Sequence, residues 1–284
     1  MMKSMNGRIC LVTGGTDGMG KEIARGLAQK GATVIITGRN PIKGKTVQDE
    51  LRKNTGNPHI EFSIADFSSL ESVRNLASEV LNKYPKLHVL VNNVGGIFLK
   101  RTTTHDDFET TFGVNNLAPF LLTNLLLDRL KESAPARIIN VSSNVHSRGK
   151  LDFDDLQYTK KYTGMGAYSR SKLANILFTY ELARRLEGTN VTTNCLHPGW
   201  VKTDFSMELR KNPIIRLADN IFAISPIDGA ATSIFLASDS SVEGVSGKYF
   251  IKNREKKSSK ASYDVEAATK LWVVSEQLVG LKRI

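Results

Sequence analysis

Residues 9–39 read ICLVTGGTDGMGKEIARGLAQKGATVIITGR. An apolar run at 9–12 leads into four glycines within seven residues, then a segment with helical apolar spacing, then a second apolar run at 33–37. That order predicts a buried strand, a tight turn, an amphipathic helix and a second buried strand. Thr13 closes the first strand, and Gly14, Gly18 and Gly20 follow with the spacing G-x-x-x-G-x-G. Glycines let the chain turn sharply and bring backbone close to a ligand. The helix that starts there presents free N–H groups and the positive end of its dipole, a place that suits a pyrophosphate. Three glycines can also serve a turn alone, but here the strand before and the helix after supply the context the motif requires.

The alternation continues along the chain. Further apolar runs lie at 60–65, 88–91, 137–141, 191–196 and 248–251, with helical patterns at 18–30, 42–54, 68–83, 115–131, 167–186 and 228–237. Ser68 and Glu71 have the S-x-x-E spacing of a capping box for the third helix. Strands alternating with helices predict an α/β chain: one Rossmann-type, doubly wound parallel sheet of about seven strands, helices on both faces. No repeat or linker interrupts it, so residues 1–284 are expected to form one domain. The exception is 204–226, DFSMELRKNPIIRLADNIFAISP, which is expected to be a small substrate lid.

Composition narrows the class. With 284 residues and 40% hydrophobic content the chain can bury a sizeable core. No run approaches the roughly 18 apolar residues that mark a membrane span, and MMKSMNGR is too short and polar for a signal peptide. A soluble, cytoplasmic protein is expected. Cys10 and Cys195 each lie in an apolar run and are expected to be buried, unpaired thiols; the five histidines show no metal-ligand spacing, so no metal is expected. The net charge of +11 is partly concentrated in KNREKKSSK at 252–260. That tract carries no aromatic residue for stacking bases and reads as a solvated loop rather than a nucleic-acid site.

Arg39 ends the second strand, where a dinucleotide fold meets the adenosine ribose. An acid there would hold the 2′-hydroxyl of NAD; an arginine accommodates the 2′-phosphate of NADP. Asp66 ends the third strand, where it could accept from an adenine amino group or support the start of the next helix. Tyr168 and Lys172, in YSRSK, stand one helical turn apart on one face. A nearby ammonium favours the phenolate, which makes the pair a plausible general acid–base. Ser142 and Ser143 follow the run RIINV at the end of a strand, where open α/β sheets bind ligands; they could polarise a carbonyl or cap a turn.

Taken together, these segments resemble the short-chain dehydrogenase/reductase family. TGGTDGMG is similar to its cofactor loop T-G-x-x-x-G-x-G, NNVG at 92–95 to its N-N-A-G segment with Val94 in place of alanine, YSRSK to Y-x-x-x-K, and HPGWVKT at 197–203 to P-G-x-x-x-T. The resemblance implies that Tyr168 exchanges the proton with substrate. It implies that Lys172 binds the nicotinamide ribose and lowers the Tyr168 pKa, that Ser143 orients the substrate oxygen and that Asn115 holds a water in a proton relay. It also implies cofactor contacts from Gly14, Thr16, Asp17, Gly18, Met19, Gly20, Arg39, Asp66, Phe67, Asn93, Gly95, Tyr168, Lys172, Pro198, Gly199, Val201 and Thr203. KLANILFTYELARRL, NCLHPGWVKT and VHSRGKLDFDDL resemble the retinol dehydrogenase-like branch, which includes the oxidoreductase domain of WW-domain oxidoreductase.

The expectation is an NADP(H)-dependent oxidoreductase, rather than an NAD(H)-dependent one. It would move a hydride between nicotinamide and a carbonyl or alcohol, with apolar side chains in 204–226 favouring a lipophilic substrate. The alternative is a catalytically idle NADP-binding regulator, against which the Asn-Ser-Tyr-Lys set argues. A homo-oligomer is compatible with the sequence; a specific nucleic-acid partner is not expected.

Overall fold

The computed structural model describes residues 5–201 and 223–281. Eight strands form one sheet in the order β3-β2-β1-β4-β5-β6-β7-β8. They are β1 (Ile9–Val12), β2 (Thr33–Gly38), β3 (Ile60–Ile64), β4 (Val89–Asn92), β5 (Ala136–Val141), β6 (Val191–His197), β7 (Lys248–Ile251) and β8 (Arg254–Lys256). β1 to β7 are parallel, and β8 runs antiparallel to β7. The order reverses between β1 and β4, which opens a crevice at the C-terminal ends of those strands.

The helices are α1 (Gly18–Gln29), α2 (Pro41–Thr55), α3 (Leu70–Lys83), the short α4 (Thr110–Phe112), α5 (Ala118–Glu132), α6 (Gly164–Arg185), α7 (Pro226–Ser238) and α8 (Val265–Leu278). α1, α2 and α7 cover one face of the sheet, where Ile23, Leu27, Leu51 and Leu236 pack on Val12, Val34 and Ile36. α3, α5, α6 and α8 cover the other, where Leu76, Leu121, Leu177 and Trp272 pack on Leu11, Ile35 and Leu90. The starts of these helices are written locally. Asp17, Asn40, Thr163, Ser225 and Asp264 cap α1, α2, α6, α7 and α8 through their side chains, and Pro41 and Pro226 occupy first turns.

Three details depart from the sequence reading. The cap of α3 is Ser69, whose Oγ accepts from Ser72 N, while Ser68 instead donates to Asp66. The helix expected at 115–131 is entered through α4 and a π-helical turn, Gly113–Leu117, so the ladder carries an extra residue there. The basic tract is not a plain solvated loop. Lys252 and Asn253, at φ 50° and 61°, make a two-residue turn, and Arg254–Lys256 add the eighth strand as an exposed edge.

Both cysteines are free and buried, as expected, and burial pushes each thiol up to about 12. Of 204–226, residues 204–222 lie outside the described residues. The described residues on either side meet: Ile224 N donates to Trp200 O at 2.8 Å, and Val201 bridges to Ile224.

Candidate active site

The glycine loop is assembled by contacts that leave no room for side chains. A Cβ on Gly20 would lie 2.0 Å from Gly14 O, and one on Gly15 would lie 2.7 Å from Ile36. Gly14 itself sits at φ 65°. Thr13 Oγ1 accepts from Asn93 N at 2.9 Å and Val94 N at 3.1 Å, while Asn93 Nδ2 donates to Thr13 O at 2.8 Å. Asn93 therefore fastens the end of β4 to the loop, a role the sequence did not show. Val94 packs its Cγ2 3.0 Å from where a Gly14 Cβ would stand, so it closes the loop from the side. Thr16 lies against Gly38 at the end of β2. Met19 and Val201 come together over Gly229 of α7. Phe67 is buried.

Two acids of the predicted cofactor set carry structural duties. Asp17 accepts from Gly18 N at 2.7 Å and pairs with Lys43 of α2. Burial raises its carboxyl, but the Lys43 and Gly18 bonds and the Lys43 and Lys21 charges outweigh that and hold it below the usual value. Asp66 Oδ1 accepts from Ser68 N at 2.9 Å and Ser68 Oγ at 2.8 Å, so this oxygen supports the turn before α3. Arg39 is exposed at the end of β2, and Lys43, which the sequence reading passed over, lies one turn into the following helix.

On the other side of the crevice Ser143, Tyr168, Lys172 and Asn115 converge. Ser142 points away and donates to Lys172 O at 2.8 Å, which braces α6. Ser143 caps a 3₁₀ turn, Asn144–Arg148, and its side chain is hydrogen-bonded to Tyr168. The Lys172 Nζ lies 5.4 Å from the Tyr168 ring centre and donates to Val141 O at 3.0 Å. A Cβ on Gly95 would stand 3.3 Å from both Lys172 Nζ and Asn115 Oδ1, so a side chain there would crowd both groups. Asn115 sits in the π turn, 1% exposed; its Oδ1 accepts from Gly96 N at 2.7 Å, and its Nδ2 donates to Gly96 O and to Ser171 Oγ, both at 2.9 Å. Ser171 in turn donates to Tyr168 O at 2.8 Å. Ser171 stood unmarked inside YSRSK because its task is visible only across two elements.

Burial governs the electrostatics of the pair. It drives the Tyr168 phenol above its ordinary value of 10, with the Ser143 bond pulling weakly the other way. It also lowers Lys172 from 10.5 to about 8. The lowering of the Tyr168 pKa implied by Lys172 is therefore not what dominates in the cofactor-free chain.

Pro198 and Gly199, the latter at φ 102°, follow β6 at the same end of the sheet. Thr203 lies outside the described residues. Among the described residues no group of three or more His, Cys, Asp or Glu could hold a metal ion, and no helix is long and apolar enough to cross a membrane.

A glycine loop that excludes side chains, at the strand-order reversal and opposite a half-buried tyrosine and its buried lysine, fits a dinucleotide. The family profile for short chain dehydrogenases matches residues 8–214. The chain belongs to the short-chain dehydrogenase family. Within it the chain falls in the retinol dehydrogenase-like branch. It is 44% identical to human retinol dehydrogenase 14 over 98% of this chain and 88% of that protein. With human retinol dehydrogenase 12 it shares 42% identity over 97% of this chain and 87% of the relative. Among solved structures, a protein from Mycobacterium paratuberculosis superposes with a TM-score of 0.80 at 31% identity, covering 98% of this chain and 96% of that one. An NADP complex of Pseudomonas aeruginosa RhlG matches with a TM-score of 0.73 at 27% identity, over 88% and 96%. This short-chain dehydrogenase is thus an oxidoreductase of CH–OH and C=O groups that uses a nicotinamide cofactor and acts on small molecules.

Proposed function

We propose that the chain interconverts a lipophilic carbonyl compound and its alcohol with NADP(H). The observation that carries this reading is the Ser143–Tyr168–Lys172 cluster on the crevice, with Lys172 Nζ reaching Gly95. The nicotinamide, when bound, supplies or takes the hydride. The residues of this chain do the rest. Ser143 holds the substrate oxygen beside the Tyr168 hydroxyl. Tyr168, a protonated phenol at neutral pH, donates its proton as a carbonyl becomes an alcohol. Lys172, an ammonium at neutral pH, favours the phenolate left behind and would hold the nicotinamide ribose. Asn115, fixed by Gly96 and Ser171, stands where a proton could be passed onward from Lys172. Gly14, Gly18 and Gly20 would receive the pyrophosphate.

The preference for NADP rests on Arg39 and on Lys43 one turn beyond it, with no acid at the end of β2. The lipophilic substrate is supported by exposed Leu99, Met165 and Trp200, which lie on the loop after β4, in the first turn of α6 and just after β6. Gly164, beside Met165, packs directly on the backbone of Phe98 and Leu99. The names of the retinol dehydrogenase relatives point the same way. The test is NADPH and NADH oxidation against long apolar aldehydes, retinal among them, and short polar ones. NADPH turnover with the apolar set is expected, and Tyr168→Phe should lower it about 10²–10⁴-fold while NADPH still binds. Binding without turnover in the unmutated protein would favour the idle regulator instead.

A further inference from the structure

His146 follows the catalytic serine by three residues and is 4% exposed. Its Nδ1 lies 2.6 Å from Ser143 O, and its Nε2 accepts from Ser259 N at 3.0 Å. A backbone N–H can only donate, so Nε2 carries the lone pair, and the ring proton sits on Nδ1 and is given to Ser143 O. Both ring nitrogens of a neutral imidazole are thereby used, and the ring packs edge-on against Tyr249 at 5.1 Å. The far partner, Ser259, lies in the tract that the sequence marks as solvated. It is held there by a chain of hydroxyls: Tyr180 with Ser258 at 2.7 Å, Ser258 with Ser262 at 2.6 Å, and Ser262 Oγ donating to Ser259 O at 2.6 Å.

Tyr180 belongs to α6, the helix that carries Tyr168 and Lys172. The contacts therefore close a ring: α6, the Ser258–Ser262 segment, His146, Ser143, Tyr168 and back to α6. Ser143 lies just beyond β5, and among the described residues the ring adds to the hold that the Asn144–Arg148 turn has on its peptide.

We propose that His146 is a positioning residue for the oxidoreductase reaction. It fixes the Ser143 peptide against the segment after β8, so that Ser143 Oγ stays on the Tyr168 hydroxyl. The inference rests on the proposed roles of Ser143 and Tyr168.

Three variants separate positioning from general stability. His146→Phe keeps a ring against Tyr249 and removes both hydrogen bonds. His146→Asn restores a short N–H donor toward Ser143 O. Ser259→Pro deletes the Ser259 N–H together with a hydroxyl that makes no hydrogen bond among the described residues, at a backbone φ of −67° that already suits proline. In His146→Phe, kcat for the carbonyl substrate is expected to fall about ten- to a hundredfold with NADPH affinity within about twofold. His146→Asn should recover much of kcat, and Ser259→Pro should lower it in the same sense as His146→Phe. The ¹³Cζ signal of Tyr168, assigned with Tyr168→Phe, should move in His146→Phe and Ser259→Pro and return in His146→Asn. Unchanged kcat and signal in folded His146→Phe would overturn the proposal, as would parallel loss of kcat and NADPH binding, or no recovery in His146→Asn. An unmutated protein that turns over no carbonyl would sink the functional reading alone, because the Tyr168 signal reports the positioning without turnover.

Discussion

Lys172→Met should make the cofactor-free protein more stable while it destroys activity. The ammonium is 3% exposed, and burial lowers its pKa from 10.5 to about 8. That difference corresponds to about 3 kcal/mol of unfavourable free energy at pH 7. Methionine has a similar length, is apolar and packs adaptably. Its cost is the Nζ bond to Val141 O, about 1 kcal/mol, and that carbonyl keeps Asn175 Nδ2 at 3.4 Å. A net gain of about 2 kcal/mol at pH 7 follows. The folded pKa is below the unfolded one, so the unfolded chain binds more protons between about pH 8 and 10.5. The stability of the unmutated protein rises through that window. At pH 10 the charge penalty has fallen below about 1 kcal/mol, and the advantage of methionine should be gone. Urea unfolding of both cofactor-free proteins, followed by tryptophan fluorescence at pH 7 and pH 10, measures the two gaps. A variant no more stable than the parent at pH 7, or equally favoured at both pH values, would refute the argument. Retained turnover in the variant would show that Lys172 is kept for some reason other than the reaction.

Three further outcomes are expected. Arg39→Asp should weaken NADPH more than about tenfold and strengthen NADH, as read by fluorescence titration; unchanged selectivity would remove Arg39 from the 2′-phosphate site. Gly20→Ala places a Cβ 2.0 Å from Gly14 O, so the loop must shift; a loss of about 1–3 kcal/mol in unfolding free energy and weaker NADPH binding are expected, against no change if the loop is slack. His88 and His197 are each lowered from 6.5 to about 4, with burial the larger cause. Their folded values lie below the unfolded one, so stability is lost as pH falls from about 6.5 toward 4, by up to about 3 kcal/mol per residue. Urea midpoints at pH 7.5 and 5 should fall in the unmutated protein and fall less in His88→Asn and His197→Asn.

Much of the fold was legible because its signals are local. The runs at 9–12 and 248–251 match β1 and β7 residue for residue: β1 is apolar throughout because it packs on both faces, and β7 is marked by its buried Tyr249 and Phe250. The glycine spacing and the Tyr168–Lys172 pair were equally readable, because both lie within one turn of backbone. The short eighth strand was not. Its turn uses Lys252 and Asn253 in a left-handed conformation that favours glycine or asparagine, and its residues are all exposed, so no hydrophobic pattern marks it. α8 was also missed, although Leu271 and Trp272 bury against the core from it.

Within the site, spacing alone named Tyr168 and Lys172; Asn115, and the choice of Ser143 over Ser142, came only from the family resemblance, since the residues themselves left the two serines physically equivalent. Tertiary structure separated the two serines by sending one hydroxyl to Lys172 O and the other to Tyr168. It also sets burial against charge in the Tyr168–Lys172 pair. Helical spacing says that a lysine stands beside a tyrosine, but whether charge or desolvation prevails depends on how much water is removed from both. Here burial raises the phenol and lowers the ammonium. The link from His146 to Ser259 spans 113 residues and rests on a backbone N–H, which every residue except proline possesses. No residue type or spacing can announce such a bond; only the path of the chain in space places that N–H against the ring.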